Sequence, residues 1–262
     1  MKGRMDGKVV VVTGGASGMG LGIAKAVAQE GGKAVIADLN GDAANREAEQ
    51  IIATGGSAIG VQANVAVRAD IDSIVTAAVA AFGHIDVWFN NAGLNRPLHF
   101  LDVTEENWRS ILDVNGLGTL MGMQAAARQF IEQGGGGKII NTTSMAGRQG
   151  YPSFAPYCAS KAAVISLTQA GARGLAEHDI TVNAFAPGVV DTPLWEKLDK
   201  NLMEIGDSER PGQAMNDFAA GILRGRPATV DDIMGTALYL ASSDSDYMTG
   251  QVIMIDGGMV LV

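Results

Sequence analysis

Short runs of β-branched and aliphatic residues alternate with Ala-rich segments of helical length along almost the whole sequence. The short runs predict strands, and the longer segments between them predict helices. Strands that are joined through helices run parallel, and their crossovers cover both faces of the sheet. The predicted strands span residues 8–13, 33–38, 57–62, 85–90, 138–143, 180–184 and 251–256, and the predicted helices span residues of about 19–30, 42–54, 69–82, 104–133, 156–178 and 230–241. The sequence therefore predicts an α/β fold with a doubly wound, mainly parallel seven-stranded sheet.

The size and composition of the chain favour a single domain. With 262 residues, of which 47% are hydrophobic, the chain can bury one large core. We therefore expect one domain over residues 1–262. Residues 189–226 break the alternation of strands and helices, and they mix Trp, Met and charged side chains. Because long connections in compact domains are often functional, this stretch is expected to form a substrate lid.

The charge and the cysteine content restrict the partners and the compartment. The formal net charge is -9, and no cluster of Lys and Arg offers a surface to nucleic acid or to an anionic membrane. Aliphatic runs such as 9–12 are far shorter than a membrane helix requires, and residues 1–8 are too polar for a secretory signal. Cys158 is the only cysteine, so no disulfide can form within the chain. We expect a cytoplasmic protein that binds small molecules, and neither nucleic acid nor a membrane.

A glycine-rich turn follows the first predicted strand and opens the first predicted helix. Gly14, Gly18 and Gly20, with Ser17 and Met19 among them, form the pattern G-x-x-x-G-x-G and not the pattern G-x-G-x-x-G. Glycines allow a tight turn and a close approach of phosphate groups, and the helix N-terminus supplies free N–H donors. The turn therefore predicts a dinucleotide phosphate site. The alternative is a chance turn, since the chain has 35 glycines.

An acidic residue, Asp38, ends the second predicted strand. It lies at the distance from the glycine turn where a carboxylate binds the adenosine ribose hydroxyls. A carboxylate there would repel the 2′-phosphate of NADP, and neither Leu39 nor Asn40 supplies a compensating cation. The expected cofactor is therefore NAD. The alternative for Asp38 is a role as a helix cap or turn residue.

A tyrosine and a lysine, Tyr157 and Lys161, lie four residues apart in a predicted helix, and Ser144 lies thirteen residues before the tyrosine, at a strand end. The four-residue spacing puts both side chains on one helix face. A free tyrosine has a pKa near ~10, and acting as a base close to neutral pH requires a shift of ~2 to 3 units. A nearby ammonium favours the phenolate and supplies part of this shift. The three residues predict a proton-transfer site, and the alternative is a chance pair on a half-exposed helix.

The glycine turn, Asp38, Ser144, Tyr157 and Lys161 occur in order with several further motifs. In this arrangement the chain resembles the short-chain dehydrogenase/reductase family over essentially its whole length. The further motifs are Asn-Asn-Ala-Gly at 90–93, Asn115, and Pro187-Gly188 followed by Thr192. The resemblance implies a single-domain Rossmann fold and a homotetramer. It implies a catalytic tetrad of Asn115, Ser144, Tyr157 and Lys161. The implied cofactor contacts are Gly14, Ser17, Gly18, Met19, Gly20, Asp38, Leu39, Asn64, Val65, Asn91, Ala92, Gly93, Tyr157, Lys161, Pro187, Gly188, Val190 and Thr192.

The resemblance also implies a role for each member of the tetrad. Tyr157 exchanges a proton with the alcohol or ketone, and Ser144 binds the reacting oxygen. Lys161 lowers the pKa of the tyrosine and holds the nicotinamide ribose, while Asn115 holds a water for proton relay at a helix distortion. Relatives commonly carry an Asp-Val pair where this chain has Asn64 and Val65. The Asn64 oxygen could still accept a bond from the adenine amino group, and the alternative is an ordinary turn residue.

The substrate class follows from two partial resemblances. Residues 137–141, 157–159 and 162–169 resemble bacterial sorbitol and galactitol dehydrogenases, whereas residues 192–195 and 244–259 resemble acetoin reductases and 2,3-butanediol dehydrogenases. The predicted reaction is hydride transfer between nicotinamide and a secondary alcohol or ketone, with a polyol, sugar alcohol or small vicinal diol as substrate. The predicted substrate pocket contains Asn95, Met145, Tyr151 and Trp195. Relatives often carry a glutamine at the position of Met145, and the methionine removes a polar contact that a diol would use.

Two other functions stay open at this point. One is a 3-oxoacyl-carrier-protein reductase, a role that usually accompanies NADP and that Asp38 therefore disfavours. The other is a non-catalytic dinucleotide-binding sensor, which the intact tetrad disfavours. We expect Cys158 to be a packing residue, since no histidine is placed beside it. No metal site is expected, because His84, His99 and His178 belong to scattered elements.

Overall fold

The computed structural model describes residues 3–261 and contains one sheet with helices on both of its faces. The strands are β1 (Val9–Thr13), β2 (Lys33–Asp38), β3 (Ser57–Gln62), β4 (Val87–Asn90), β5 (Gly137–Thr142), β6 (Ile180–Pro187) and β7 (Val252–Ile255). The α-helices are α1 (Gly18–Gln29), α2 (Gly41–Ala53), α3 (Arg68–Phe82), α4 (Glu105–Leu112), α5 (Gly118–Gln133), α6 (Ala155–Gly174), α7 (Pro193–Glu204), α8 (Gln213–Ala219) and α9 (Val230–Ala241). All seven strands run parallel, which confirms the predicted α/β fold.

The sheet separates two layers of core. Every residue of β1 is buried, and its side chains alternate between the two faces. Val9 and Val11 pack in the layer formed with α3 and α5, whereas Val10 and Val12 pack in the layer formed with α1 and α9. A strand that is covered on both faces can be continuously apolar, and this explains why the first strand is a run of valines.

The strand order reverses between β1 and β4. The sheet has the order β3-β2-β1-β4-β5-β6-β7, so the chain builds outward from β1 to β3 and then returns to the other side of β1. In such sheets, the connections after the two central strands leave in opposite directions and open a crevice at the carboxyl ends of the strands. The glycine turn after β1 and the segment after β4 both lie at this crevice.

Two segments differ from the sequence prediction. The helix expected over 104–133 is interrupted, because residues Asp113–Leu117 form a π-helix between α4 and α5. The side chain of Asn115 within this turn bonds to the backbone of Leu94, which lies outside the helix. Residues 189–226 contain α7 and α8 rather than an irregular loop. No helix within residues 3–261 is long and apolar enough to cross a membrane.

A glycine sets the distance between α5 and the sheet. A Cβ atom added at Gly122 would lie 2.0 Å from Asn90 Oδ1 and 2.9 Å from Trp88 Nε1. Those two atoms already bond to each other at 2.8 Å, and Asn90 Nδ2 donates onward to Asn141 Oδ1 at 2.9 Å. Because unsatisfied polar groups are costly inside a core, the helix has to approach without disturbing this pair.

We expect Gly122→Ala to lower the free energy of unfolding by about 1–3 kcal/mol, since the new methyl group overpacks a rigid polar pair. The matched control is Gly235→Ala, in the exposed part of α9, where an added Cβ meets no atom within 4 Å. That control should raise stability by about 0.5–1 kcal/mol through helix propensity. Urea unfolding of Gly122→Ala and Gly235→Ala measures the change in the free energy of unfolding for each variant. Equal stability of Gly122→Ala and the unmodified protein would contradict the close approach of α5.

Candidate active site

The glycine turn after β1 has the backbone geometry of a ligand cradle. Gly14 and Gly18 have φ angles of 61° and 50°, a region that favours glycine. A Cβ atom at Gly20 would lie 2.1 Å from the carbonyl oxygen of Gly14, so only glycine lets α1 approach the turn. Ser17 precedes α1 and makes no side-chain cap hydrogen bond. The N-terminal N–H groups of α1 can therefore serve an anionic ligand.

The carboxylate of Asp38 lies beside this turn, as the sequence predicts. Its Oδ2 atom accepts from the N–H of Ala16 at 3.1 Å, and its Oδ1 atom accepts from the N–H of Asn40 at 3.0 Å. Asn40, and not Asp38, caps α2, because its side chain accepts from the N–H of Ala43. Asp38 thus joins the glycine turn to the end of β2 and also lines the crevice.

The segment after β4 is fixed against the glycine turn. Asn91 Nδ2 donates to the carbonyl oxygens of Thr13 and Gly14, at 3.1 Å and 3.3 Å. In return, Thr13 Oγ1 accepts from the N–H groups of Asn91 and Ala92, at 3.0 Å and 3.1 Å. Sequence reasoning missed Thr13, although a hydroxyl that ends a run of four valines was the available signal.

Asn64 forms a turn at the edge of the crevice. Its Oδ1 atom accepts from the N–H of Ala66 at 3.0 Å, and its own N–H donates to Asp70 Oδ2 at 2.9 Å. The amide oxygen that could receive an adenine amino group is thus already bonded within the turn. Asn64 and Val65 nevertheless line the crevice.

The predicted cofactor residues divide between two adjoining cavities. The crevice is lined by Gly14, Ser17, Gly18, Met19, Gly20, Asp38, Leu39, Asn64, Val65, Asn91, Ala92, Gly93 and Thr192. The second cavity is lined by Pro187, Gly188, Val190, Ser144, Tyr157 and Lys161, and also by Met19, Asn91, Gly93 and Thr192. The glycine turn and the Asp38 carboxylate lie in the crevice, and the residues common to both linings form a wall shared by the two cavities. This arrangement fits an extended dinucleotide that reaches from the crevice into the second cavity.

Helix α6 carries both members of the predicted acid–base pair. Lys161 Nζ lies 5.6 Å from the centre of the Tyr157 ring. The ammonium also donates to the carbonyl oxygen of Thr142 at 2.9 Å. Thr143 Oγ1 donates to the backbone carbonyl of Lys161 at 2.8 Å, and this bond fastens α6 to the end of β5. Neither threonine was predicted as a site residue, because each looked like an ordinary polar residue at a strand end.

The pKa values of this pair differ from the shift that the spacing suggests. Burial raises the pKa of Tyr157 to about 12, although a side-chain hydrogen bond with Ser144 acts in the lowering direction. Burial lowers the pKa of Lys161 to about 8. The expectation that the ammonium brings the phenol toward neutrality is therefore wrong for the protein alone. Desolvation disfavours both charged forms and is the largest cause of both shifts.

Ser144 stands at the carboxyl end of β5, where a short 3₁₀ turn begins. Its Oγ atom accepts from the N–H of Ala146 at 3.2 Å and donates to the carbonyl oxygen of Pro187 at 3.5 Å. Ser144 lines the second cavity together with Tyr157. The arrangement brings a hydroxyl donor and a phenol to one place, as proton exchange with a bound oxygen requires.

Asn115 lies behind the two cavities and does not line either of them. Its Oδ1 atom accepts from the N–H of Leu94, and its Nδ2 atom donates to the carbonyl oxygen of the same residue, both at 2.9 Å. Nδ2 also donates to Ser160 Oγ at 3.0 Å. The side chain thus joins the π-helix, the loop after β4 and α6, so that it positions the site.

The four predicted substrate residues all line the second cavity: Asn95, Met145, Tyr151 and Trp195. Helices α7 and α8 close one side of it with Trp195, Leu198 and Phe218. The aromatic rings of Tyr151, Phe154, Trp195 and Phe218 contact one another, with centroids 5.6–6.4 Å apart. Phe154 and Phe218 were missed in the sequence, where neither belongs to a motif.

Cys158 is buried among apolar side chains, including Phe154 and Leu198. Burial raises the pKa of its thiol, which keeps it in the less nucleophilic protonated form. Among residues 3–261, no three His, Cys, Asp or Glu side chains are grouped so that they could hold a metal ion.

Known proteins resemble this chain over nearly its whole length. The family model described as enoyl-(acyl carrier protein) reductase matches residues 14–260. The chain is 39% identical over 253 residues to a diacetyl reductase [(S)-acetoin forming] of Staphylococcus epidermidis, covering 97% of this chain and 98% of that protein. It is 42% identical over 255 residues to a galactitol 2-dehydrogenase of Agrobacterium fabrum, with the same coverage. The crystal structure of a short-chain type dehydrogenase/reductase from Mycobacterium marinum has a TM-score of 0.90 and 34% identity, covering 98% of this chain and 97% of that one. The resemblance read from the sequence is confirmed, and the chain belongs to the short-chain dehydrogenase/reductase family of oxidoreductases.

Proposed function

We propose that this oxidoreductase uses NAD to interconvert a secondary alcohol and a ketone, with a small vicinal diol or hydroxyketone as its substrate. One observation carries the proposal. Tyr157, Lys161 and Ser144 meet in a largely apolar cavity that shares a wall with the dinucleotide crevice. A proton donor and a hydride carrier can act on the same carbon and oxygen only in such an arrangement.

Each catalytic residue of the cavity has a separate role in the reaction. Bound nicotinamide supplies or accepts the hydride. Ser144 Oγ bonds the reacting oxygen, and Tyr157 gives it a proton in reduction or takes its proton in oxidation. Lys161 uses one N–H donor on the Thr142 carbonyl at 2.9 Å and also lines the cavity, so it can bond the ribose of the cofactor.

The wall of the cavity supports a small substrate. Apart from the catalytic groups, it is formed largely by apolar and aromatic side chains, among them Met145, Phe154, Leu198 and Phe218. A buried hydroxyl without a partner costs about 1–3 kcal/mol. A hexitol would bring several such hydroxyls, whereas a four-carbon diol brings only one besides the reacting group. The relative named diacetyl reductase supports the small substrate, and the relative named galactitol 2-dehydrogenase supports the hexitol as second candidate.

The choice of NAD rests on the end of β2. The Asp38 carboxylate lines the crevice, and Leu39, which follows it, is 67% exposed and uncharged. A second carboxylate, Asp42, lies in the first turn of α2 and lines the hollow beside them. Like charges that face each other across a contact cost several kcal/mol, so a 2′-phosphate is disfavoured here.

The assembly and the lid are part of the same proposal. We infer a homotetramer in the cytoplasm, with one domain over residues 1–262 and with α7 and α8 as the substrate lid. The exposed Leu223 and Leu261, at 74% and 81% exposure, offer apolar surface near the C-terminal edge of the sheet. The single thiol of Cys158 agrees with a reducing compartment.

Purified protein should reduce NAD with 2,3-butanediol at a higher kcat/KM than with galactitol. We expect Tyr157→Phe to lower kcat by about 10²- to 10⁴-fold, because the general acid–base group is lost. NAD binding, followed by fluorescence titration, should persist in this variant and serves as its control. Unchanged turnover by Tyr157→Phe would refute the mechanism, and a preference for galactitol would favour the hexitol.

The two directions of the reaction should respond to pH with opposite sign. Tyr157, with a pKa of about 12, holds its proton near neutrality, so reduction has its proton donor there. The ammonium of Lys161, with a pKa of about 8, loses its charge as the pH rises. We expect kcat/KM for oxidation to increase from pH ~6 to ~8, because the phenolate fraction of Tyr157 grows about tenfold per pH unit below its pKa. We expect kcat/KM for reduction to fall as the pH rises through about 8, because the cavity loses the positive charge of Lys161. Parallel profiles of equal sign in the two directions would contradict this assignment.

Asp38→Asn should reduce the preference for NAD over NADP by about 10- to 100-fold in kcat/KM, since it removes the repelling charge. The amide keeps an oxygen for one of the backbone N–H groups that Asp38 binds. Asp42→Asn is the matched control, because it removes the same charge from the first turn of α2, which lines the neighbouring hollow, and its effect should be smaller. The NAD/NADP ratio measured with one alcohol substrate decides. An equal effect of the two substitutions would show that net charge alone, and not Asp38, sets the choice.

A further inference from the structure

One buried polar atom in the second cavity has no partner. Asn95 is 8% exposed, and its Oδ1 atom makes no hydrogen bond within residues 3–261. Native proteins leave few buried acceptors unsatisfied. The same side chain lines the cavity that holds Ser144 and Tyr157. The free acceptor therefore lies where a substrate would bind.

The backbone around Asn95 is fixed on both sides. Leu94 exchanges two hydrogen bonds with the buried amide of Asn115, both at 2.9 Å. The carbonyl oxygen of Arg96 accepts from Asn107 Nδ2 at 3.0 Å. Since both neighbours are held by side-chain amides, the free acceptor of Asn95 does not result from a loose loop. It is preorganised, as binding groups are when they act on a ligand.

Tyr151 lines the same cavity, and its hydroxyl donates to Met145 Sδ at 3.7 Å rather than to Asn95. Among the described residues that line this cavity, one other buried side-chain atom is unpaired, Trp195 Nε1. An indole nitrogen only donates, and an amide oxygen only accepts. Among the described residues of the lining, the cavity therefore holds one unpaired buried side-chain acceptor and one unpaired buried side-chain donor.

A hydroxyl group matches this pair, because it donates one hydrogen bond and accepts others. A ketone in its place could use the donor of Trp195 but would leave Asn95 unpaired, and a methyl group would leave both unpaired. We propose that Asn95 recognises a second, non-reacting hydroxyl of the substrate by accepting its proton, with Trp195 as the complementary donor. This inference rests on the proposed function and adds the residue that selects diols over simple alcohols.

The test compares two alcohols that differ by one hydroxyl, 2,3-butanediol and 2-butanol, with NAD as oxidant. The unmodified protein should prefer the diol in kcat/KM. Asn95→Leu keeps the approximate volume and removes the acceptor, and it should lower the ratio of the two kcat/KM values by about 10- to 100-fold. The value for 2-butanol should change by a smaller factor than the value for the diol, since 2-butanol brings no second hydroxyl to Asn95. Met145→Leu is the matched control, because it changes wall packing without polarity and should alter both values by a similar factor.

The outcomes separate this inference from the function beneath it. A diol preference that survives in Asn95→Leu overturns the role of Asn95 and leaves the alcohol dehydrogenase intact. Equal kcat/KM values for the two alcohols in the unmodified protein overturn it too, and that measurement needs no variant to fold. A protein that oxidises neither alcohol, nor any other secondary alcohol, overturns the proposed function together with the inference.

Discussion

The hydroxyl of Thr13 holds together the two strand ends between which the whole site is built. Its oxygen accepts from the N–H groups of Asn91 and Ala92, at 3.0 Å and 3.1 Å, and donates to the carbonyl of Phe89 at 3.2 Å. These bonds join the end of β1 to the segment after β4, where the strand order reverses. The crevice opens at this junction. The glycine turn and the wall shared by the two cavities face each other only because the junction is rigid.

Burial governs the chemistry of the acid–base pair more than the distance between its members does. The pKa of Tyr157 rises to about 12 and that of Lys161 falls to about 8, although the ammonium lies 5.6 Å from the ring centre. Both shifts favour the uncharged forms, because both groups have lost water. Positive charge that a ligand brings into the cavity would lower the pKa of the tyrosine again. The pKa values of Tyr157 and Lys161 therefore depend on the charge of the ligand that binds beside them.

Local periodicity was enough to predict the sheet, because a valine run such as Val9–Val12 and the helices beside it reflect burial on two faces. The order of motifs was enough to predict many of the residues that line the two cavities, but not Phe154 and Phe218. The π-helix at Asp113–Leu117 could not be predicted in this way, since it depends on bonds from Asn115 to Leu94, a residue 21 positions away. Helices α7 and α8 were missed because their apolar residues pack on other parts of the chain, such as Phe154. The sign of the tyrosine shift was wrong for the same reason, because desolvation is a property of the folded cavity.

The polarity of the substrate cavity cannot be judged from the position after the catalytic serine alone. Met145 removes a polar contact there, and its sulfur accepts from the Tyr151 hydroxyl at 3.7 Å. Asn95 reaches the same cavity from the loop after β4, some 50 residues earlier in the chain, and brings an amide oxygen that has no donor among residues 3–261. A substrate hydroxyl can bond to any polar group that lines the cavity. A polar group that is absent from one wall can therefore be supplied by another. Residues such as Asn95 and Met145 lie far apart in the sequence and become neighbours only in the fold. Parallel strands bring their carboxyl-end loops to one edge of the sheet.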